Sequence, residues 1–278
     1  MIIWFDGGLM RLGDARLSPL DRGVTVGDGV FETLRVYRGV PFAWRRHHER
    51  LEGSAEALGL SIPVSEALRV AADAVLRANA LQEARLRITV TGGEGIGASS
   101  RAGASPHSWI AAWPFEPRLG PADVVIAPWT RNERSAIAGL KTISYAANVR
   151  ALSVAEAQGA SEAVFANTAG NLCEATGSNV FVVHDGVLRT PPASAGCLLG
   201  VTRGLLLELA REHGMPVEEA DVPIAALASA YEAFLSSSTR EVQPIAHVEG
   251  VELPAAPGPV SEALASAFVA LVARDLDP

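Results

Sequence analysis

The stretch AGLKTISYAANVRAL, residues 138–152, contains the only lysine of the chain, Lys141. Every other residue among the 23 lysines and arginines is an arginine. Arginine stays protonated at any ordinary pH, whereas a partly buried lysine can lose its proton and become a nucleophile. The count alone fits a reactive amine and a chance survivor of an arginine-rich composition equally well. The residues around Lys141 are therefore needed to choose between these two interpretations.

The bulk composition describes a globular chain that works on small molecules. Its 278 residues, 49% apolar and 19% charged, are enough for one large or two ordinary domains with a sizeable core. The formal net charge of −8 argues against a nucleic-acid partner, because proteins that bind phosphate backbones present basic faces. We therefore expect small-molecule chemistry.

No feature of the sequence indicates a metal site, a disulfide framework or a membrane span. Cys173 and Cys197 are too few for a framework and lack zinc-site spacing, and the six histidines are scattered. No window reaches the roughly 18 apolar residues that a membrane span requires, and the N-terminus has no basic leader. We expect no metal, no membrane partner and a cytoplasmic location.

The order of predicted elements indicates an α+β protein with two domains. Short strand-like runs alternate with amphipathic helical segments in both halves, and EPRLGPAD, residues 116–123, interrupts both periods with two prolines and a glycine. We predict domains at residues 1–119 and 120–278. We also predict a helix from about Thr142 to Gly159, directly after Lys141.

Two residues give the lysine a chemical setting. Tyr145 follows Lys141 by four positions, so a helix would place the phenol on the same face as the amine. Glu174 lies at a predicted strand end among small residues, where a buried carboxylate would need a partner. An exposed acid at a strand end is an equally good interpretation of Glu174 alone.

Three further segments could hold an anion such as a phosphate. Gly200, Val201 and Thr202 stand at a predicted helix start, where backbone N–H groups lack partners. Residues 236–239, Ser-Ser-Ser-Thr, follow a predicted strand, and Arg50 could make a charge-assisted contact. Each feature is common by itself. Together with one amine, one acid and one phenol, they match what pyridoxal phosphate needs: a lysine for its aldehyde, an acid for its ring nitrogen and a cradle for its phosphate.

Seven segments in chain order resemble the class IV pyridoxal-phosphate aminotransferases, which include branched-chain and D-amino acid aminotransferases, (R)-amine transaminases and aminodeoxychorismate lyases. They are GDGVFETLRV (27–36), HHERLEGSA (47–55), GLKTISYAANV (139–149), NLCEATGSNVFVV (171–183), LRTPP (188–192), LLGVTRG (198–204) and SSSTREVQPI (236–245). The resemblance implies fold type IV: a small N-terminal α/β domain, a larger C-terminal domain with a barrel-like β core, and a homodimer.

The resemblance also implies a role for each candidate residue. Lys141 becomes the catalytic lysine, which forms the Schiff base with pyridoxal 5'-phosphate and shuttles the proton, and Glu174 becomes the partner of the pyridine nitrogen. The other cofactor-binding positions are Arg50, Tyr145, Gly200, Val201, Thr202, Ser238 and Thr239. The substrate-binding positions are Phe31, Thr239 and Arg240. Tyr145 is offset, since branched-chain members place the tyrosine one residue further on, at Ala146 here.

The motifs with which the branched-chain and the D-amino acid members bind the substrate carboxylate are both missing. Branched-chain members carry Tyr-x-Arg on the strand ARLRITV, where the aligned positions are Ala84 and Leu86, and Val26 replaces a further tyrosine. D-amino acid members carry Arg-x-His in the next loop, which here reads TGGEGIGASS, residues 91–100. GDGVFETLRVY and SSSTREVQPI nevertheless resemble the D-amino acid group more closely.

We therefore rank a ping-pong transaminase first, moving an amino group from a D-amino acid to a 2-keto acid, and also from (R)-primary amines if no arginine binds the substrate carboxylate. Aminodeoxychorismate lyase ranks second and branched-chain aminotransferase third. The substrate carboxylate still needs a partner, and our hypothesis is Arg240 or an arginine of TRNERSAIAG, residues 130–139. An exposed Arg240 without a role in binding is an about equally good interpretation of this residue. For the protein as a whole, the remaining alternative is a relative that binds a ligand without turnover.

Overall fold

The computed structural model describes residues 1–95, 100–101, 104–117 and 120–278. The predicted domain boundary lies between residues 119 and 120, and residues 118 and 119 lie outside the described residues. Residues 96–99 of the loop that follows the ARLRITV strand also lie outside them. Two compact units are present: Met1–Glu116 with Leu140–Tyr145 and Asp275–Pro278, and Pro117–Gly139 with Ala146–Arg274. The first unit thus includes two short later segments, which a prediction of continuous domains could not foresee.

The first unit consists of antiparallel strands and helices. The described strands are β1 (Ile2–Phe5), β2 (Gly8–Arg11), β3 (Gly29–Tyr37), β4 (Val40–Pro41), β5 (Ala84–Thr91) and β6 (Ser108–Pro114). Within the described residues they form one sheet in the order β2-β1-β6-β5-β3-β4. The helices of this unit are α1 (Arg22–Thr25), α2 (Trp44–Leu58) and α3 (Ser65–Ala78).

The two faces of β3 have different surroundings. Val30 and Leu34 belong to the apolar core that also contains Leu51 of α2 and Leu68 of α3. Because successive side chains of a strand point to opposite faces, the odd-numbered residues of β3 face away from these helices. The strand pairs with β5 so that Phe31 lies opposite Thr89 and Thr33 opposite Arg87.

The second unit is built around a mixed sheet. The described strands are β7 (Ala122–Ile126), β8 (Glu162–Ala166), β9 (Leu172–Ala175), β10 (Asn179–His184), β11 (Val187–Thr190), β12 (Val217–Glu219), β13 (Glu232–Ser237), β14 (Glu241–Val248) and β15 (Val251–Glu252). Their order is β12-β11-β10-β13-β14-β7-β8-β9, with β15 paired to β14, and the sheet curls into a half-barrel. The helices are α4 (Ala146–Ala157), α5 (Val201–Glu212) and α6 (Pro259–Arg274). The α+β prediction with a barrel-like core is confirmed.

The helix after Lys141 begins later than the sequence predicts. Residues 142–145 are not helical, and α4 starts at Ala146. Instead, Thr142 forms an antiparallel bridge with Val30 of β3. The periodicity of the sequence cannot reveal this pairing, because the partner strand lies more than a hundred positions earlier in the chain. None of the helices in the described residues is long and apolar enough to cross a bilayer.

A buried carboxylate holds the start of α6. Glu232 of β13 is fully buried and accepts hydrogen bonds from the backbone N–H groups of Val260 and Ser261, both at 2.9 Å, and from Ser261 Oγ at 2.7 Å. The first N–H groups of a helix have no intrahelical acceptor and attract negative charge. Glu232 therefore joins the sheet to α6.

Replacing Glu232 with glutamine (E232Q) is expected to destabilise the protein by about 1–3 kcal/mol, because the charged acceptor of these bonds is lost. The midpoint of urea unfolding measures the change. E262Q is the matched control, since Glu262 lies in the same helical turn but is exposed. Equal midpoints for E232Q and E262Q would contradict the assigned cap.

Candidate active site

The main chain of Lys141 is fixed within the first unit. Its carbonyl accepts the N–H of Phe31 at 3.0 Å, and its own N–H donates to Ser54 Oγ of α2 at 3.1 Å. The N–H of Ile143 donates to the carbonyl of Gly29 at 3.0 Å. This register places Lys141 directly opposite Phe31, so their side chains leave the same face of the sheet.

Two other residues predicted for the site, Lys141 and Tyr145, contact the ring of Phe31. The Nζ atom of Lys141 lies 4.5 Å from the centroid of this ring, and the ring of Tyr145 meets it edge-on at 5.2 Å. Tyr145 does not reach Lys141 through a helix, as predicted, because residues 142–145 are not helical and the Tyr145 N–H donates to the carbonyl of Ile143 at 2.8 Å. Lys141, Phe31 and Tyr145 nevertheless share one contact surface.

Arg87 lies on the same ring and was missed in the sequence analysis. Its Cζ atom is 3.8 Å from the Phe31 centroid, and its Nε donates to Thr89 Oγ1 at 3.1 Å. Burial lowers the pKa of the Arg87 guanidinium, an effect that Tyr145 opposes. Within the described residues, no carboxylate lies at ion-pair distance from it.

The alternation of β5 contains the signal that could have identified Arg87. Leu86 lies in the core with the helices, whereas Arg87, one position later, points to the face of Phe31. The aligned position at Leu86 suggested that this strand offers no arginine to a substrate. The structure places one on the Lys141 face, one position from the aligned one.

Glu32, on the helix-facing side of β3, is fully buried and forms a charge cluster with His47 and the partly buried Arg50. Its carboxylate accepts both Nε and Nη2 of Arg50 at 2.8 Å and pairs with Nδ1 of His47 at 2.7 Å. Burial acts to raise the pKa of the Glu32 carboxyl, but Arg50 and His47 outweigh it and hold that pKa well below its usual range. Burial lowers the pKa of the His47 imidazole, an effect that the Glu32 carboxylate opposes.

This cluster bears on the predicted role of Arg50. Glu32 engages the Nε–Nη2 edge of the guanidinium and fixes its plane, so a phosphate would use the Nη1 side. Arg50 as a phosphate ligand stays a prediction.

In the second unit, Glu174 is held at the end of β9. Its Oε2 accepts the N–H of Leu198 at 3.0 Å, and its Oε1 lies 3.3 Å from Nη2 of Arg131. The guanidinium of Arg131 also lies 4.5 Å from the ring centroid of Phe165. Arg131 belongs to the 130–139 segment proposed for the substrate carboxylate, but here it accompanies Glu174. A carboxylate held in this way can accept a hydrogen bond from a protonated ring nitrogen.

The start of α5 offers backbone donors close to Asn179, the first residue of β10. Gly200 precedes the helix, and a Cβ at this position would collide with Oδ1 of Asn179. The N–H groups of the first turn, from Val201 and Thr202, therefore stand beside a strand that approaches closely. The hydroxyl of Ser236, opposite Asn179 in the sheet, is buried with no hydrogen-bond partner within the described residues.

Ser238, Thr239 and Arg240 form the turn between β13 and β14. The N–H of Arg240 donates to the carbonyl and the Oγ of Ser237, at 3.3 and 3.2 Å. The Arg240 guanidinium donates to Glu162 Oε2 at 2.9 Å and to Gln243. These bonds favour a structural role for Arg240, and its predicted contact with substrate stays a prediction.

Each unit, taken by itself, carries groups of the chemical types that pyridoxal phosphate needs. The first unit supplies an amine at Lys141, aromatic contacts and the Arg50 guanidinium. The second supplies the Glu174 carboxylate, a helix start and the hydroxyl groups of residues 236–239, including an unsatisfied buried one at Ser236. No group of three or more His, Cys, Asp or Glu side chains in the part of the chain described could hold a metal ion.

Comparison with known proteins gives one consistent family. The family model described as amino-transferase class IV matches residues 29–248. A putative branched-chain-amino-acid aminotransferase of Methanocaldococcus jannaschii is 34% identical over 257 residues, which cover 90% of this chain and 88% of that protein. A D-alanine aminotransferase of Listeria innocua is 32% identical over 283 residues, covering 96% and 94%. The crystal structure of the branched-chain aminotransferase of Thermoproteus uzoniensis with norvaline has a TM-score of 0.92 at 31% identity, covering 98% and 94%.

The variant E32Q keeps the shape of Glu32 but leaves Arg50 without its buried counter-charge, which is expected to cost about 3–5 kcal/mol near neutral pH. A carboxyl whose pKa is depressed by folding stabilises the protein fully above its unfolded pKa, near 4.5, and loses that contribution as the pH falls below it. The difference in free energy of unfolding between wild type and E32Q should therefore decrease as the pH falls from about 5 to about 3.

Urea unfolding across this pH range measures the difference. E52Q is the control, because Glu52 lies on the same helix with an exposed side chain. A difference that stays constant down to the lowest pH at which wild type is folded would contradict the depressed pKa.

Proposed function

The chain belongs to the class IV aminotransferases, and we propose that it transfers an amino group from a D-amino acid to a 2-keto acid in two successive half-reactions. The observation that carries this proposal is the shared contact of Lys141 Nζ and the Arg87 guanidinium with the Phe31 ring, at 4.5 and 3.8 Å from its centroid. An amine and a guanidinium on the same side of one sheet suit a substrate whose carboxylate lies near its amino-bearing carbon.

Arg87 is the proposed ligand of the substrate carboxylate. It is partly desolvated, rests on an aromatic face and has no acidic partner within the described residues, so an incoming carboxylate would restore a charge-assisted pair. This replaces Arg240 as the first candidate. It also favours amino acids over amines that lack a carboxylate.

Lys141 is the proposed catalytic base. Pyridoxal phosphate, the cofactor of this family, supplies an aldehyde that captures amino groups and a ring that withdraws electrons from the substrate's Cα. Nζ of Lys141 would take the proton from Cα and return it, and its fixed main chain limits where the amine can reach. Tyr145 and Phe31 would confine the amine on one side.

The remaining residues hold the cofactor in this proposal. Glu174 would keep a proton on the ring nitrogen, because its carboxylate is already oriented by the Leu198 N–H and Arg131. Arg50, the N–H groups of Val201 and Thr202, and the hydroxyl groups of Ser238 and Thr239 would bind the phosphate, with Thr239 also beside the substrate. Gly200, which has no side chain, would let the phosphate approach these N–H groups.

The choice of D-amino acids rests on the motifs GDGVFETLRVY and SSSTREVQPI and on Val26 in place of a tyrosine. Branched-chain L-amino acids are the second candidate, because relatives and solved structures named branched-chain aminotransferases match nearly the whole chain. We also propose a cytoplasmic homodimer. The homodimer is what the resemblance to the family implies, and the exposed side chains of Leu9, Leu12, Leu20, Val24 and Val26 are apolar groups that a second copy could cover.

The amino-donor preference is tested by keto-acid formation with 2-oxoglutarate as acceptor. We expect D-alanine or D-glutamate to be used at least about tenfold more efficiently, as kcat/KM, than L-leucine. Pyruvate release from aminodeoxychorismate without a keto-acid acceptor tests the lyase alternative in parallel. A preference for L-leucine would overturn the D-amino acid proposal and support the second candidate.

The role of Arg87 is tested by R87Q, with R85Q as the matched control. Arg85 lies on the same strand and face but is exposed and stacked 4.7 Å from the Trp113 ring centroid. Losing a charge-assisted pair should raise KM for the preferred amino acid about 10- to 100-fold in R87Q, with little change in R85Q. Activity toward (R)-1-phenylethylamine, which has no carboxylate, should change far less. Equal losses on both substrates would contradict the assignment.

A further inference from the structure

We propose that the buried ion pair between Glu162 and Arg240 is a positioning element for the cofactor. It would act through two turns of the second unit, residues 175–178 and 237–241, and would touch neither cofactor nor substrate. The inference rests on the proposed function, because it concerns the cofactor that the function requires.

Glu162 is the point where the two turns meet. It is the first residue of β8, and the exposed fractions of the Glu162 and Arg240 side chains are 2% and 6%. Its Oε2 accepts Nη2 of Arg240 at 2.9 Å, and its Oε1 accepts the N–H of Thr176 at 3.2 Å and the Thr176 hydroxyl. One carboxylate thus binds a side chain from each turn.

The first turn follows Glu174 directly. It is closed by the N–H of Ala175, which donates to the carbonyl of Ser178 at 2.8 Å. Thr176, held by Glu162, is two positions from the carboxylate proposed to meet the ring nitrogen. A shift of Thr176 would therefore be passed to Glu174 through one intervening residue.

The second turn presents Ser238 and Thr239. Arg240 is tied at both ends, because its N–H closes the turn on Ser237 and its guanidinium reaches Glu162 and Gln243. A planar guanidinium with two acceptors has little freedom to rotate. The hydroxyl groups proposed for the phosphate are thereby held at a fixed distance from Glu162.

Stability alone does not account for this pair. A buried ion pair is often no more stabilising than apolar residues of the same volume, although removing one partner leaves a costly unpaired charge. The pair instead fixes the position of the β13–β14 turn relative to the end of β9, because it connects the two across the curled sheet. Loss of either charge should therefore loosen the site in addition to destabilising the fold.

The test compares E162Q with E232Q in cofactor titrations of the apoprotein. Glu232 is also a fully buried glutamate of this unit that holds backbone N–H groups, but it caps α6 and contacts neither turn. Both variants should lose stability in urea. Only E162Q should raise the dissociation constant for pyridoxal phosphate, by about tenfold or more, while E232Q stays within about twofold of wild type.

Two further variants keep the inference testable if E162Q does not fold. E162D retains the charge and should show a smaller rise than E162Q. R240K retains the charge but loses the planar fork, and should raise the dissociation constant several-fold at a nearly unchanged unfolding midpoint.

An unchanged dissociation constant in folded E162Q or in R240K, or an equal rise in E232Q, would overturn the inference. A wild-type protein that binds no pyridoxal phosphate would overturn the proposed function and this inference with it.

Discussion

Main-chain hydrogen bonds hold the segment Leu140–Tyr145 against the edge of β3, and the proposed chemistry depends on their register. The bonds between Lys141 and Phe31 and between Ile143 and Gly29 set the lysine opposite the aromatic ring. A slip of one residue would turn the Lys141 side chain to the helix-facing side, because successive side chains of an extended segment point in opposite directions. The hydroxyl of Ser54, which accepts the Lys141 N–H, adds a bond from α2 that opposes such a slip.

The same alternation separates two kinds of charge across β3. Glu32 is fully buried and faces α2, where Arg50 and His47 satisfy its carboxylate. Phe31, the preceding residue, faces the opposite side, where it contacts Lys141 and Arg87. The strand thus places a carboxylate with a depressed pKa next in sequence to the residue that contacts Lys141, yet on the other side of the sheet. A carboxylate on the same side would pair with Arg87 and compete with a substrate.

The sequence singles out residues of an unusual type or within a motif, but it does not show which faces and partners tertiary pairing gives to the others. Lys141 could be found because it is the only lysine, and Glu174 because of the motif around it. Arg87 is one of many arginines, and only the pairing of β5 with β3 shows which face it occupies. Arg240 meets an acid 78 positions away, so nothing in its own segment indicates that partner. The late start of α4 and the return of residues 140–145 to the first unit likewise follow from tertiary pairing, which local periodicity does not contain.

The most direct test of the account is chemical labelling of the amine. Protein incubated with pyridoxal phosphate, reduced with borohydride and digested should carry the phosphopyridoxyl group on the peptide containing Lys141, detected by its mass and by absorbance. The account predicts one label per chain at that residue and none in Lys141→Ala. A label confined to the N-terminal amine of Met1, or no label at all, would contradict it.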